Sequence, residues 1–323
     1  MKLPGIFLIS MTAFLVGCTQ DPLEVDVSDV DYSLNIHRFD KALIGRDTSD
    51  FARSTYPELR DEFMPFMSTG TIEFWKNQAS SAEMARLQKE IDERFPDLEK
   101  LQSDLENALQ HYYYYYPQAS RIEVYAYNSG LDLNFPVLFA DSILFIALDN
   151  YLGPDHPAYG YLDRYLVQEK SPEYITRDAM LQIGQTKVRR DQEDQTLLAD
   201  MIHWGRIWYF TKAMMPDAPD SIITGFSSKE LTFSVQNERS MWSYFLDNNL
   251  LYDTGMDAKR RFINLAPFSK FYLQFDSETP GMAGRWIGYR IVSDFMENSE
   301  TTLPELMRMT DARRIFVESR YKP

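Results

Sequence analysis

One stretch of this chain, residues 197–210, is apolar almost all the way round when it is drawn as a helix. A helix of that kind lies in the middle of a globular domain and not on its surface. Its few polar side chains are not scattered, because Asp200, His203 and Arg206 follow one another at i, i+3 and i+6. They therefore line one edge of the helix, and the rest of the domain must be built around this segment.

Two interpretations of this polar edge are open, because burying ionisable groups is costly unless they are paired. In the first, Asp200 and His203 hydrogen-bond each other or a neighbouring helix and hold the core together. In the second, the edge forms the floor of a functional site. Arg206 fits either interpretation, as a packing residue or as a counter-charge.

The chain begins with the features of a bacterial lipoprotein signal. After Lys2, residues 3–16 are almost all apolar or small, a hydrophobic run too short for a permanent membrane span. The run ends in Leu-Val-Gly-Cys at residues 15–18, the pattern of a lipobox, in which the cysteine is acylated and the signal is cut before it. We therefore predict a signal peptide at 1–17 and covalent lipid on Cys18. The alternative is an ordinary signal peptide that contains a cysteine.

The single cysteine also determines how the mature chain is held together. Because Cys18 is the only cysteine, no internal disulfide can form and the exported domain depends on its apolar core. Acyl chains contribute about 0.8 kcal/mol per buried CH₂, so several of them attach the protein durably to a membrane. Residues 18–31 carry five acids and are predicted to be a solvated tether. Residues 32–323 show no internal repeat and are predicted to form a single domain.

The charge balance argues against nucleic acid as a partner. The chain has 48 acidic and 33 basic side chains, a net charge of -15, and loss of Lys2 with the signal makes the mature balance -16. A chain this acidic is a poor ligand for nucleic acid or for anionic lipid head groups. We expect the charge to keep the domain soluble or to complement a basic partner.

Helices are predicted over most of the chain. A capping box with Ser80 as the cap opens a helix that ends near residues 95–96, and a second helix stops at Pro117. Residues 50–67 are also predicted to be helical. After residue 153 the chain is predicted to be mostly helix.

Strands are predicted in a smaller part of the chain. Residues 121–127 alternate polar and apolar side chains, which predicts a strand with one solvent-exposed face. The apolar runs at 137–140 and 143–148 predict two more strands, and residues 36–44 another. The prediction is an α+β fold, mainly helical, in which a small sheet from residues 121–148 packs on a helical bundle.

A glycine-rich helix is predicted to open at residues 279–280 and to carry Gly281, Gly284 and Gly288. The spacing does not match the dinucleotide-binding pattern Gly-x-Gly-x-x-Gly. Glycine inside a helix costs about 1 kcal/mol relative to alanine, so we expect these glycines to allow close backbone approach to another helix, the central one. Two arginines on the same helix are candidate counter-charges for a buried carboxylate: Arg285 and Arg290.

The sequence contains an incomplete zinc-binding motif. Residues 199–203 place an acid and a histidine where a zinc peptidase has them in His-Glu-x-x-His, but alanine replaces the first histidine. Asp200, His203 and Glu238, the candidate third ligand, would give one histidine and two carboxylates, which is a weak site for zinc. No Gly-x-Ser-x-Gly, phosphate-binding loop or Cys/His metal pattern is present. We therefore predict no metal centre and no catalytic residue.

An ordered set of short segments carries a resemblance to a known family: residues 15–18, 200–210, 215–216, 219–221, 237–245, 248–252, 266–268, 280–288 and 321–323. In these segments the chain resembles the gliding-motility lipoprotein GldB family of Bacteroidetes, most densely over residues 195–323. That family is similar, at a distance, to zincin-type peptidases whose metal-binding helix has decayed. The resemblance thus implies a degenerate zincin-like metallopeptidase architecture.

The resemblance implies a role in gliding, or in the associated type IX secretion apparatus, as an accessory lipoprotein without catalytic residues. The preferred hypothesis is a non-catalytic protein of the cell envelope, held to the outer membrane by the lipid on Cys18 and bound to other gliding or secretion proteins. Beyond that lipid, no cofactor is expected. The alternative is a metal-dependent peptidase or a peptide-binding protein in which Asp200, His203 and Glu238 still hold a metal or a peptide.

Overall fold

The computed structural model describes residues 23–43, 80–140, 142–274 and 276–323. The lipobox with Cys18 and the helix predicted at 50–67 lie outside these residues. Within the described ranges, no helix has the length and apolarity needed to cross a membrane.

A four-stranded mixed sheet is built from β1 (Ile36–Arg38), β2 (Glu123–Tyr127), β3 (Val137–Ala140) and β4 (Ile143–Ala147). The strand order is β1-β2-β4-β3, in which β1, β2 and β4 are parallel and β3 pairs antiparallel with β4. The register places Val124 opposite both Ile36 and Leu144. The predicted strands at 137–140 and 143–148 are confirmed.

The prediction of one solvent-exposed face on the strand at 121–127 is wrong. Only Glu123 is exposed, and the other four residues of β2 are buried. Because β2 lies between two parallel neighbours, it occupies the interior of the sheet, where both faces are covered. Tyr125, one of the alternating residues that the pattern predicted to face solvent, is buried, and its ring stacks on those of His37 and Phe145.

In the described part of the chain, three helices lie between β1 and β2 in the sequence: α1 (Phe39–Leu43), α2 (Ala82–Arg94) and α3 (Glu99–Tyr115). The strand predicted at 36–44 is therefore only partly correct, because it ends at Arg38 and α1 follows directly. The N-cap of α2 is Ser81 and not Ser80, since the Ser81 hydroxyl accepts from the backbone N–H groups of Glu83 and Met84. Both longer helices bury the apolar face that their periodicity predicts.

The remainder of the chain is helical, as predicted: α4 (Arg164–Val167), α5 (Ile175–Lys187), α6 (Leu197–Met214), α7 (Asp220–Thr224), α8 (Ser228–Gln236), α9 (Glu238–Asp247), α10 (Met256–Phe262), α11 (Ala283–Glu297), α12 (Leu303–Arg308) and α13 (Ala312–Ser319). The capping box at Ser227 opens α8, but the helix breaks at Asn237 before α9. The α+β fold, mainly helical, is confirmed. Its zincin-like architecture stays a prediction.

Helix α6 is the central element of the described chain. Along its whole length only His203, Trp204 and Lys212 keep partial exposure, and every other residue is buried. The helix packs against α11 along a long contact and also against α5 and α13. The almost uniformly apolar sequence therefore corresponds to a helix surrounded by other elements.

The backbones of α6 and α11 approach each other closely at two glycines. A Cβ atom added to Gly288 would lie 1.9 Å from the carbonyl oxygen of Met201, and one on Gly205 would lie 2.3 Å from that of Gly288. Gly284 instead meets the backbone of Phe262, at the end of α10, and Gly281 that of Ala266.

The expected start of α11 is wrong. The helix begins at Ala283, so Gly281 precedes it. Met282 adopts a left-handed φ of 60°, and the Ala283 N–H donates to the Ser269 hydroxyl. The turn at Met282 and the hydrogen bond to Ser269, 14 residues earlier, thus mark the start of the helix.

The predicted tether is described from residue 23 onwards. Leu23 belongs to the hydrophobic core, whereas Glu24, Asp26, Asp29 and Asp31 are exposed. The described part of this segment therefore lies against the domain and turns its acids to solvent.

Candidate functional site

The carboxylate of Asp200 is held by two cations. Near the start of α6, it lies 2.5 Å from the guanidinium of Arg190 and 2.9 Å from the ammonium of Lys259. All three side chains are largely removed from solvent. Asp200 therefore forms a buried charge cluster with residues on either side of α6 in the sequence.

Arg206, six residues further along the same edge, binds backbone carbonyls. Its guanidinium donates to the carbonyl oxygens of Arg189, Leu306 and Met309. Burial, with a further contribution from Arg190, lowers the pKa of Arg206 to about 10. The side chain thus links α6 to the segment that precedes it and to the end of α12.

His203 lies between these two groups and is half-buried. Its Nδ1 atom is buried and has no hydrogen-bond partner among the described residues, and its ring meets that of Trp204 edge-on. Burial lowers the pKa of His203 to about 4, and Arg206 and Arg190 act in the same direction. The imidazole is therefore neutral at pH 7.

Glu238 belongs to a different cluster. At the start of α9, its carboxylate accepts from Arg290 at 3.4 Å and from the hydroxyl of Tyr321 at 3.0 Å. Of the two arginines considered as counter-charges, Arg290 thus pairs with Glu238, while Arg285 forms an ion pair with neither Glu238 nor Asp200.

The candidate ligands do not fit a zinc ion. The two carboxylates of the proposed set are held by different cations, so neither is free to join the unpartnered ring nitrogen of His203 at a metal. No group of three His, Cys, Asp or Glu side chains in the described part of the chain could hold a metal. We therefore derive no chemistry through a metal at these residues.

A cleft with a volume of ≈ 640 Å³ opens beside α6 and is called here the Trp204 cleft. Its walls come from α5, α6 and α11 and from the segments 133–137 and 162–170. The lining residues are Leu133, Asn134, Pro136, Val137, Leu162, Tyr165, Leu166, Glu169, Lys170, Arg177, Asp178, Leu181, Gln182, Gln185, Trp204, Trp208, Thr224, Leu265, Met282 and Arg285.

Most charges in the Trp204 cleft neutralise one another. Arg177 forms ion pairs with Glu169 and, at 2.9 Å, with Asp178. The hydroxyl of Tyr151 donates to Asp178 at 2.6 Å, and burial raises the pKa of that carboxyl. Lys170 donates to the side-chain oxygen of Asn150 at 3.0 Å, and burial lowers the pKa of the Lys170 ammonium.

Arg285 is the exception in the cleft. The Cζ atom of its guanidinium lies 3.5 Å from the ring centroid of Trp204, and Nε donates to the carbonyl of Ile263 at 2.6 Å. No described carboxylate forms an ion pair with it, and neither terminal nitrogen donates to a described residue. Burial lowers the pKa of Arg285 to about 9, and the electrostatic attraction of Glu169, which acts in the opposite direction, offsets only part of this effect.

Comparison with known proteins identifies the family of this chain. The model of the family described as gliding motility protein GldB matches residues 20–323, nearly the whole chain. The chain belongs to the GldB family. Membership implies involvement in gliding motility, and the family's label describes a lipoprotein. Searches of curated proteins and of solved structures found no significant match.

The GldB family match confirms the resemblance that the sequence carries. The segments in which it is densest contain α6, α9 and α11, which hold Asp200, Glu238 and Arg285. Sequence reasoning missed the cleft residues of α5, although adjacent opposite charges at Arg177 and Asp178 inside an apolar helix were a usable signal.

Proposed function

We propose that this GldB-family chain is a non-catalytic lipoprotein of the cell envelope. Lipid on Cys18 anchors it to the outer membrane, and the domain acts as an accessory component of gliding and of the associated type IX secretion machinery. It does so through contacts with other proteins. The observation that carries the proposal is the family match over residues 20–323.

The geometry around α6 supports a non-catalytic role. A water-activating zinc centre needs three protein ligands and an open position. Here Asp200 is held by Arg190 and Lys259, and Glu238 is held by Arg290 and Tyr321. These acids serve to neutralise buried or half-buried cations.

Exposed aromatic side chains support contact with other proteins. Tyr161, Tyr252, Tyr272 and Phe135 each expose at least half of their surface. Tyrosine and phenylalanine are enriched in protein–protein interfaces, where large rings supply contact area. The acidic charge of the chain favours a basic partner surface.

The test is deletion of the gene followed by complementation. Loss of the protein is expected to stop spreading on agar and to reduce type IX export, and the wild-type gene restores both. A Cys18→Ala gene is expected not to restore them, because the domain then lacks its anchor. A deletion strain with intact gliding and export would overturn the proposal. A pull-down from membranes with the tagged lipoprotein then identifies the partner.

A separate measurement addresses the zincin-like alternative. The purified lipoprotein and its His203→Ala variant are analysed for bound zinc and for peptide cleavage. We expect substoichiometric zinc in both proteins and no cleavage. Stoichiometric zinc that disappears with His203, together with peptide cleavage, would contradict the non-catalytic assignment.

A further inference from the structure

The charges that line the Trp204 cleft do not cancel. Three basic side chains, Lys170, Arg177 and Arg285, face two acidic ones, Glu169 and Asp178. Arg177 pairs with both acids, and Lys170 lies within electrostatic reach of the same two carboxylates, so these four charges balance and the excess positive charge remains at Arg285. A local positive excess inside a chain of net charge -15 attracts a small anion.

The guanidinium of Arg285 is held in a fixed orientation. One face lies against the indole of Trp204, and Nε is engaged by the carbonyl of Ile263. The two terminal nitrogens have no acceptor among the described residues. A planar guanidinium anchored in this way offers two parallel N–H donors, which is the geometry that binds a carboxylate in bidentate fashion.

The other residues that line the cleft are apolar side chains and side-chain amides, which together can hold the apolar end of a peptide and its backbone. Leucines and the ring of Tyr165 provide apolar surface, and Asn134, Gln182 and Gln185 add three primary amides. A volume of ≈ 640 Å³ is within the range of small-molecule sites. Side-chain amides can both donate to and accept from the groups of a peptide backbone.

We propose that the Trp204 cleft binds the C-terminal carboxylate of a peptide whose last side chain is apolar. Arg285 holds the carboxylate, the aromatic and aliphatic wall takes the last side chain, and the amides bind the backbone before it. A dianion such as phosphate fits less well, because the excess charge is a single positive one and Glu169 and Asp178 repel the second negative charge. This site is separate from the zinc-like residues and from the surface contacts proposed above.

The experiment uses the purified acylated protein in lipid nanodiscs and isothermal titration calorimetry. The probe is the peptide acetyl-Ala-Leu-Phe with a free carboxylate, and its matched control is the same peptide as a C-terminal amide. The free acid is expected to bind about tenfold or more tightly than the amide, because the amide loses a charge-assisted hydrogen bond. This comparison needs no variant, so it does not depend on how substitutions fold.

Variants then locate the site. Arg285→Gln is expected to weaken binding of the free acid by about tenfold or more, and Arg285→Lys by less, since charge is kept but the fork is lost. Arg313→Gln is the matched control, because Arg313 is an exposed helical arginine outside the cleft. It is expected to bind as the wild type does. A circular dichroism spectrum identifies any variant that fails to fold.

Several outcomes would overturn the proposal. Equal binding of acid and amide, no binding of the acid at about 1 mM, or unchanged binding by folded Arg285→Gln would each do so. Decanoate binding as tightly as the peptide would show a fatty-acid site instead. Inorganic phosphate that displaces the peptide at lower concentration than acetate does would show a phosphate site.

Discussion

Three ionisable side chains on one edge of α6 are accommodated in three different ways. The Asp200 carboxylate is paired with two cations, Arg206 donates to carbonyls, and His203 is kept neutral. The contacts of the outer two support the first interpretation of the edge, in which it holds the core together. His203 is different, because its Nδ1 atom is buried and has no hydrogen-bond partner among the described residues.

Replacing Asp200 by asparagine is expected to destabilise the domain strongly. The substitution leaves the partly buried cations of Arg190 and Lys259 without a counter-charge, near the cation of Arg206. Breaking such a cluster costs about 3 kcal/mol or more of the free energy of unfolding. Urea denaturation of the wild type and the variant, followed by circular dichroism, measures this change in the free energy of unfolding.

The matched control is Glu193→Gln, which removes an exposed acid just before the same helix. It is expected to change the free energy of unfolding by less than about 0.5 kcal/mol. Equal effects of the two substitutions would contradict the role assigned to the Asp200 cluster.

His203 is expected to make the domain sensitive to mild acid. Its pKa is about 4 in the folded chain against an ordinary value of 6.5, so the unfolded chain binds a proton first as the pH falls. The contribution of His203 to the free energy of unfolding is therefore fully present above about pH 6.5, and it is lost progressively as the pH falls to about 4. Between about pH 7.5 and about pH 5 the loss is about 2 kcal/mol.

The measurement compares the free energy of unfolding at both pH values in the wild type and in His203→Gln. Glutamine does not titrate, so the variant is expected to lose about 2 kcal/mol less than the wild type over this interval. The same pH dependence in both proteins would show that burial does not hold the imidazole neutral.

At the scale of the elements, α6 and α11 are in contact through their backbones. Gly205 and Gly288 face each other at this contact, where no Cβ atom can be placed. The atoms that a side chain would meet are backbone carbonyls, which cannot rotate away as a side chain can. An added methyl group must therefore move one helix relative to the other.

Gly288→Ala is expected to lower the free energy of unfolding by about 2 kcal/mol or more, since the strain of overpacking exceeds the gain of about 1 kcal/mol in helix propensity. Ser293→Ala serves as the control on the same helix, because its hydroxyl donates only to the carbonyl of Tyr289 within α11. Thermal unfolding of both variants measures the difference. A Gly288→Ala protein as stable as the wild type would show that the helices separate without cost.

Helices were more predictable than their ends. The periodicity of α2, α3 and α6 is a local property of the sequence and identified each of them. The cap at Ser81 and the start of α11 at Ala283 were missed, because two adjacent serines offer equivalent caps and Ser269 approaches only in the folded chain. The burial of β2 was missed since its partner β1 is far away in the sequence.

The whole molecule combines an acidic surface with a predicted lipid anchor. With a net charge of -15 it is repelled by the anionic head groups of membranes. We therefore expect attachment to depend on the predicted acyl chains and not on the surface of the domain. The Trp204 cleft is a local exception to this charge.

A chain that begins at residue 20 and carries no lipid is expected to stay in solution with vesicles rich in anionic lipid, even at low salt. The acylated protein is expected to float with the same vesicles, because its acyl chains are buried in the bilayer. Flotation on a density gradient distinguishes the two. Flotation of the unacylated chain would reveal a lipid-binding surface on the domain itself.

The sequence by itself was sufficient to identify the lipobox, the absence of internal disulfides, the helix-rich α+β class, the buried central helix and the family. Each of these follows from composition, local periodicity or an ordered motif. Only the tertiary structure decided which cation meets which carboxylate, and that Arg285 faces a cleft without one. Such pairings join residues distant in sequence, and their energies depend on burial and distance, which arise only when the helices pack.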